Sequence, residues 1–388
     1  MFSKNITFIN FKNKKIKNIK AKTNNLKKYE WLKNYPLLKS FTKSFKYSYS
    51  KKDINKYKFY KDFRLIGMGG SILGTEAIYQ FLRHKIKKNF YFHNNLIPQI
   101  KSLKKMPNIV VSKSGETLET ISNFNIILKN KNNKNIIITE NTNNYLRRLS
   151  NKIKSDIFEH KNYIGGRYSV LSEVGMLPAE LMGLKEKNFK KFNYLIKNKR
   201  FLENLIINVE NIIHYVKKNK KNSIILNYDE SSENFFKWYQ QLTAESLGKK
   251  SKGITPIISS MPKDNHSLLQ LYLDGPKNCF FTFFNVTSKT SNKQSNKFIL
   301  DDKKYLKNKN LNEILEAQEK STQNIFRKKN IPFRSFNIKK KDENTLGELF
   351  CFCVLETILL GHALKVNPLD QPSVELIKTE TKRLLSKL

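Results

Sequence analysis

Cysteine is scarce. Cys279, Cys351 and Cys353 are an odd number and too few for a secreted disulfide scaffold. No second pair accompanies Cys351 and Cys353 to complete a zinc site. A reducing compartment is expected. The six histidines are scattered and show no HExxH spacing. A dedicated metal enzyme is therefore not expected. Long apolar runs are missing too. The most apolar stretch, Leu349–Leu360, carries Glu356 and falls short of the ~18 residues that span a bilayer. It is expected as a buried helix, with no membrane partner. Residues 1–20 are basic and lack the ~7–15-residue apolar core of a secretory signal; a basic targeting segment stays open, since the rest of the chain is equally basic.

Acidic residues are few: 32 Asp and Glu face 73 Lys and Arg, a formal net charge of +41. That charge attracts anions of any kind, from nucleic acid to a phosphorylated metabolite. Lysine supplies nearly all of it, since only nine arginines occur. Base reading and bidentate phosphate clamping favour arginine. The lysines, mixed with Asn and Ile along the whole chain, read as a compositional bias with solvated faces. No specific nucleic-acid partner is expected.

The 388 residues are enough for two domains of about 100–200 residues each. Residues 1–55 are polar, spotted with aromatics and poorly periodic, and read as an N-terminal extension. Phe63–Gly67, Asn108–Val111, Asn135–Thr139 and Ile153–Phe158 then read as strands, alternating with helices over 71–83, Leu118–Leu128 and Val170–Leu184. Lys185–Lys221 reads as a lysine-rich helical linker. The rhythm restarts with strands at Ser223–Leu226, Gly253–Ile258 and Cys279–Phe284. Helices are expected at Glu233–Leu247, Asn265–Tyr272, Lys304–Phe326, Thr345–Leu364 and Ser373–Leu388. This pattern implies an α/β fold with two domains, 56–190 and 200–345. Each has a mostly parallel sheet covered by helices on both faces, and residues 346–388 form a C-terminal helical tail.

Six short segments carry candidate chemistry. Gly67-Met68-Gly69-Gly70-Ser71 follows a strand and opens a helix, where glycines let backbone approach a ligand and fresh N–H groups favour an anion. It also fits a tight strand–helix turn, and its spacing is not GxGxxG. Ser112-Lys113-Ser114-Gly115-Glu116-Thr117 gathers hydroxyls, a lysine and a glycine at a strand end, a composition suited to a phosphate cradle. Gly165-Gly166-Arg167-Tyr168-Ser169 places one of the few arginines in a sharply turning loop. Gln241–Lys249 puts Glu245 near a helix end that Gly248 stops. There its charge meets the unfavourable end of the dipole, as suits a general base. Asp264-Asn265-His266-Ser267 sets a histidine at a helix start. Asn367–Lys378 holds a proline-bracketed turn with Gln371, then a helix with Lys378. Taken singly, Glu245, His266 and Lys378 are also compatible with ordinary surface positions.

In this order the segments resemble the glucose-6-phosphate isomerase family over about residues 60–385. The resemblance implies two sugar-isomerase (SIS-type), flavodoxin-like domains in a cytoplasmic homodimer with shared active sites, acting on a sugar phosphate without metal or cofactor. By the same resemblance, Ser112, Lys113, Ser114 and Thr117 hold the phosphate, and Gly69, Gly70 and Ser71 line the sugar site. Gln371 helps position the substrate. Glu245 carries a proton between C2 and C1, and Arg167 stabilises the enediolate. His266, from the neighbouring subunit, opens the ring with help from Lys378. The chain departs from the family around His266, where Pro262-Lys263-Asp264-Asn265 precede it, and at Ile377, where glycine is usual. Two alternatives stay open at this stage. One is an isomerase that also takes mannose 6-phosphate. The other is a non-catalytic SIS-type protein that only binds sugar phosphates.

Overall fold

The computed structural model describes residues 3–12, 31–96, 105–129, 133–287 and 291–387. Its first strand, β1 (Ile6–Ile9), does not join the sheet that follows it in sequence. It pairs antiparallel with the last strand, β10 (Phe333–Ile338), placing Ile6 opposite Ile338. The segment read as an extension thus supplies the edge of the second sheet. Leu37, Leu38 and Phe41, from the same segment, enter the central core.

The first sheet has five parallel strands: β2 (Asp62–Gly67), β3 (Asn89–His93), β4 (Asn108–Val111), β5 (Asn135–Thr139) and β6 (Asp156–Glu159). Their order is β3-β2-β4-β5-β6. The period of two decides which side chain faces where. Phe63, Leu65, Ile109, Val111, Ile136 and Ile138 face the central core, with Ala77, Ile78 and Phe81 of α1 (Leu73–Phe81). Ile66, Val110 and Ile137 face the other way, onto Phe124 and Ile127 of α2 (Leu118–Leu128) and Leu146 of α3 (Tyr145–Ile153). The strand order reverses between β2 and β4, and such a reversal leaves a ligand crevice beyond the strand C-termini. Gly67 and Val111 are register partners there, so the turn after β2 and the loop after β4 start side by side.

The expected helix over Val170–Leu184 is broken. Gly166–Leu171 forms a 3-10 turn, and α4 (Glu173–Leu181) starts only after Ser172, whose hydroxyl accepts from Val174 N. The supposed linker holds α5 (Lys199–Lys217), whose apolar stripe Phe201, Leu202, Leu205 and Ile212 is buried. It is a core helix under a lysine-rich outer face.

In the second sheet, β7 (Asn222–Asn227), β8 (Thr255–Ser260), β9 (Cys279–Val286) and β10 run parallel in the order β8-β7-β9-β10, and antiparallel β1 closes the edge. Between the sheets lie α1, α4, α6 (Glu233–Leu247) and, after α7 (Leu311–Lys328), the apolar α8 (Glu343–Leu364). Among the described helices α8 alone is long and apolar enough to cross a membrane, but its surface is spent inside the protein. Trp238 and Phe350 meet edge to face with centroids 4.7 Å apart. A buried ion pair, Arg334 with Glu356, ties β10 to α8. Asn208 of α5 and Tyr239 of α6 complete its hydrogen bonds, the condition for burying opposite charges at tolerable cost.

A second buried cation sits where the N-terminal segment meets the first sheet. Lys190 Nζ donates to the carbonyls of Ser40 and Leu171 and lies 4.9 Å from the Tyr47 ring centroid. Burial, partly offset by Glu173 and Glu186, pulls its pKa from 10.5 to about 7. Below that pH the ammonium is charged in folded and unfolded chains alike, and its burial cost is borne in full. Between about 7 and 10.5 the unfolded chain keeps a proton the folded chain has released, so this group adds stability as pH rises. The stability of wild type relative to Lys190→Met, measured by urea unfolding, should therefore grow across that window. A difference that stays flat with pH would contradict this assignment.

Candidate active site

Arg167 is only 3% exposed. Gly70 makes that position possible. A Cβ there would lie 2.2 Å from the Gly166 carbonyl carbon and 2.4 Å from Arg167 N. Only glycine lets the turn after β2 stack backbone to backbone on the arginine turn; Ser169 Oγ donates to Gly166 O at 2.7 Å and lies 3.3 Å from Gly70 O. A buried guanidinium needs acceptors for all five N–H groups. Arg167 finds them: Nε donates to Ser246 Oγ at 2.8 Å, Nη1 to Glu245 Oε2 at 3.2 Å and Gln371 Oε1 at 2.7 Å, and Nη2 to the carbonyls of Pro368 at 2.7 Å and Asp370 at 3.0 Å.

Glu245 occupies the last turn of α6, ahead of Gly248. Its other oxygen, Oε1, accepts from Gln241 Nε2 at 2.9 Å, one helical turn back. Gly69, at φ +51°, packs on the same amide: a Cβ there would lie 2.7 Å from Gln241 Nε2. Gln241 Oε1 is buried and has no partner among the described residues. Glu245 itself is 30% exposed, so its carboxylate is held from behind and open in front.

The segment Asn367–Gln371 forms a strap over this pair. Besides its bonds to Arg167, Pro368 O accepts from the Tyr168 hydroxyl at 2.8 Å. Lys249 Nζ pairs with Asp370 at 2.7 Å and donates to the Asn367 carbonyl. The Lys249 hydrogen bond holds the Asp370 carboxyl below its ordinary range. Beyond the strap, α9 (Val374–Leu385) has its described side chains exposed.

The loop after β4 is a cluster of hydroxyls. Ser112 Oγ and Thr117 Oγ1 are 2.8 Å apart. The Ser112 hydroxyl accepts from Gly115 N, and Ser114 Oγ accepts from Glu116 N. Thr117 is the N-cap of α2, yet its side chain does not cap that helix. The leading amides of α2 are left for an anion. Gly115 needs φ +68° and lies against Asn144, leaving no room for a Cβ. Lys113 points elsewhere: Nζ donates to Asn162 O at 2.8 Å and lies 3.5 Å from Glu140.

The structure thus brings Gly69, Gly70, Arg167, Glu245 and Gln371 into one contact chain. Ser71 ends the adjoining 3-10 turn, and Ser112, Ser114 and Thr117 stand on the neighbouring loop. Three candidates lie outside this contact chain: Lys113, whose ammonium is held by Asn162 O and Glu140, and two more. His266 lies exposed on the turn Lys263–His266 after β8, and among the described residues it makes no hydrogen bond or ion pair to Arg167, Glu245 or Gln371. Lys378 lies on exposed α9, beyond the strap that holds Gln371. Sequence reading did not single out Gln241, Ser246, Tyr168 or Lys249 as site residues. The i,i+4 spacing of Gln241 and Glu245 was a readable signal. Nothing local joins Ser246 to Arg167, 79 positions away.

A family model described as phosphoglucose isomerase matches residues 4–388. A glucose-6-phosphate isomerase of Methanocaldococcus jannaschii is 32% identical over 355 residues, covering 86% of this chain and 87% of its own. The glucose-6-phosphate isomerase of Mycoplasmopsis synoviae is 31% identical over 352 residues, 83% of this chain and 82% of its own. Two solved structures are similar in fold. A hypothetical protein from Thermus thermophilus has a TM-score of 0.77 at 23% identity, covering 95% of this chain and 91% of its own. A glucose-6-phosphate isomerase from Chlamydia trachomatis has a TM-score of 0.74 at 16% identity, covering 99% of this chain and 89% of its own.

Proposed function

The chain belongs to the phosphoglucose isomerase family, and from that premise we propose how its residues work. It catalyses the reversible isomerisation of glucose 6-phosphate to fructose 6-phosphate. The observation that carries the residue-level reading is the pairing of Glu245 with Arg167 at 3.2 Å beside the glycine turn. A protein that only bound sugar phosphates would need the hydroxyl loop but not a half-open carboxylate against a buried guanidinium.

In this reading the phosphate rests on Ser112, Ser114, Thr117 and the leading amides of α2, and Lys113 reaches it only by giving up Asn162 O and Glu140. The sugar lies along Gly69, Gly70 and Ser71, and Gln371 positions it. Glu245 removes the proton from C2 of the open-chain aldose. The C2–H electron pair forms the C1–C2 double bond, and the carbonyl pair moves onto O1. Once protonated, Glu245 no longer holds Nη1 as a carboxylate, and Arg167 Nη1 turns that N–H to the charge of this cis-enediolate. A proton passes from O2 to O1, C2 becomes the ketone carbon, and protonated Glu245 returns its proton to C1. The two sheets correspond to two SIS-type domains, near residues 56–190 and 200–345, of a cytoplasmic homodimer. His266, exposed and making no hydrogen bond or ion pair to its own chain's Glu245 among the described residues, serves the neighbouring subunit's site. There it opens the sugar ring together with Lys378.

Two experiments test this reading. Fructose 6-phosphate turnover is measured in a coupled assay with EDTA present, using wild type beside Glu245→Gln. The variant should fold and lose roughly 10²–10⁴ in kcat, the range for a positioned general base. Near-wild-type turnover would remove Glu245 as the base. The shared site is tested by unfolding, mixing and refolding inactive Glu245→Gln and His266→Ala chains. In a symmetric dimer with His266 acting across the interface, half the dimers are mixed, and each has one intact site. About a quarter of wild-type activity should return. No recovery would place His266 in its own chain's site.

A further inference from the structure

Arg167, Ser246, Tyr168 and Pro368 close a ring of hydrogen bonds whose direction has no freedom. Arginine only donates, and a backbone carbonyl only accepts. Arg167 Nε gives its proton to Ser246 Oγ at 2.8 Å. Tyr168 Oη stands 2.8 Å from Ser246 Oγ and 2.8 Å from Pro368 O. The single tyrosine proton must go to the carbonyl, so the serine proton must go to the tyrosine oxygen. Arg167 Nη2 closes the ring by donating to the same Pro368 carbonyl at 2.7 Å. Arg167, Tyr168 and Ser246 are all buried, at 3%, 1% and 0% exposure, so water does not compete for these bonds. Burial also raises the Tyr168 pKa and keeps the phenol a neutral donor.

The ring grips Nε and Nη2 and leaves Nη1 as the edge facing Glu245 and Gln371. A guanidinium is planar and rigid, so fixing two of its nitrogens fixes the position and plane of the third. We propose that Tyr168 and Ser246 are positioning residues: through this ring they aim Arg167 Nη1 at the oxygens that carry the enediolate charge. The proposal rests on the reading of Arg167 given above. Neither residue touches the sugar. Their effect falls on the transition state and not on anchoring the phosphate.

The test uses Tyr168→Phe, Ser246→Ala and Ser246→Thr, with Arg167→Lys as reference. Each is assayed for kcat and KM. Each is also assayed for inhibition by a phosphorylated hydroxamate, which mimics the enediolate, and by a phosphorylated polyol, which carries no such charge. Tyr168→Phe and Ser246→Ala should lose about tenfold to a hundredfold in kcat, the scale of a small misplacement of a catalytic group. Hydroxamate affinity should fall by a similar factor, while KM and polyol affinity stay near wild type. Ser246→Thr keeps the hydroxyl and should restore most of kcat. The double variant Tyr168→Phe/Ser246→Ala should fall little further than the worse single one, because either change opens the ring. Unchanged kcat in both single variants, with Arg167→Lys impaired, overturns the proposal. So does a parallel loss of hydroxamate and polyol affinity, which marks a general loss of structure. An Arg167→Lys enzyme as active as wild type would instead overturn the reading of Arg167 itself.

Discussion

A guanidinium can leave water only where every N–H meets an acceptor, and Arg167 meets this condition with groups from two places: the end of α6 and the strap Asn367–Gln371. Much of the site follows from that constraint. Gly70 has to lack a side chain so that the arginine turn can come close. The chain after α8 has to fold back so that two strap carbonyls point inward. Glu245 and Gln371 then lie on either side of Nη1 because it still needs acceptors. Lys249, paired with Asp370, secures the strap from its outer side.

Each sheet contributes something different to this arrangement. The first brings two loops together at its strand reversal, and their hydroxyls and amides suit an anion. The second carries α6, and through it Glu245, Ser246 and Gln241. Aromatic packing between the sheets, as at Trp238 and Phe350, holds one half of the site against the other. The abundant lysine has little part in the pairing of Glu245 with Arg167. The charge at its centre is an arginine, whose fork can serve several acceptors at once.

The parts of the molecule legible from sequence are those with a local physical signal. Asn108–Val111 and Asn135–Thr139 read correctly as strands because fully buried parallel strands are short unbroken apolar runs. Leu118–Leu128 and Glu233–Leu247 read correctly as helices. The hydroxyl loop and the glycine turn were visible because strand-to-helix turns rich in Ser, Thr and Gly are unusual outside anion sites. Strands β1, β3 and β10 were missed. Asn89–His93 follows the basic Lys87-Lys88 and buries only Phe90 fully, and Phe333–Ile338 hides its apolar face behind a buried, paired Arg334. The lysines around α5 masked its buried stripe. The hydrogen-bond ring was out of reach, since it joins residues 78 and 200 positions apart. Hydrophobic pattern tells which residues are buried, not which buried polar groups will meet.

The central claim is that one carboxylate, Glu245, carries the proton between the two carbons. It is tested most directly with glucose 6-phosphate deuterated at C2, following the label in fructose 6-phosphate during single turnover. Glu245 is held by Gln241 and Arg167 but 30% exposed, so solvent exchange should compete with return of the same proton. The account predicts that part of the label reaches C1 and the rest is lost to water, with the transferred share rising as turnover outpaces exchange. Complete retention at C1 under all conditions would mean a direct hydride shift with no proton on Glu245, and would contradict the account.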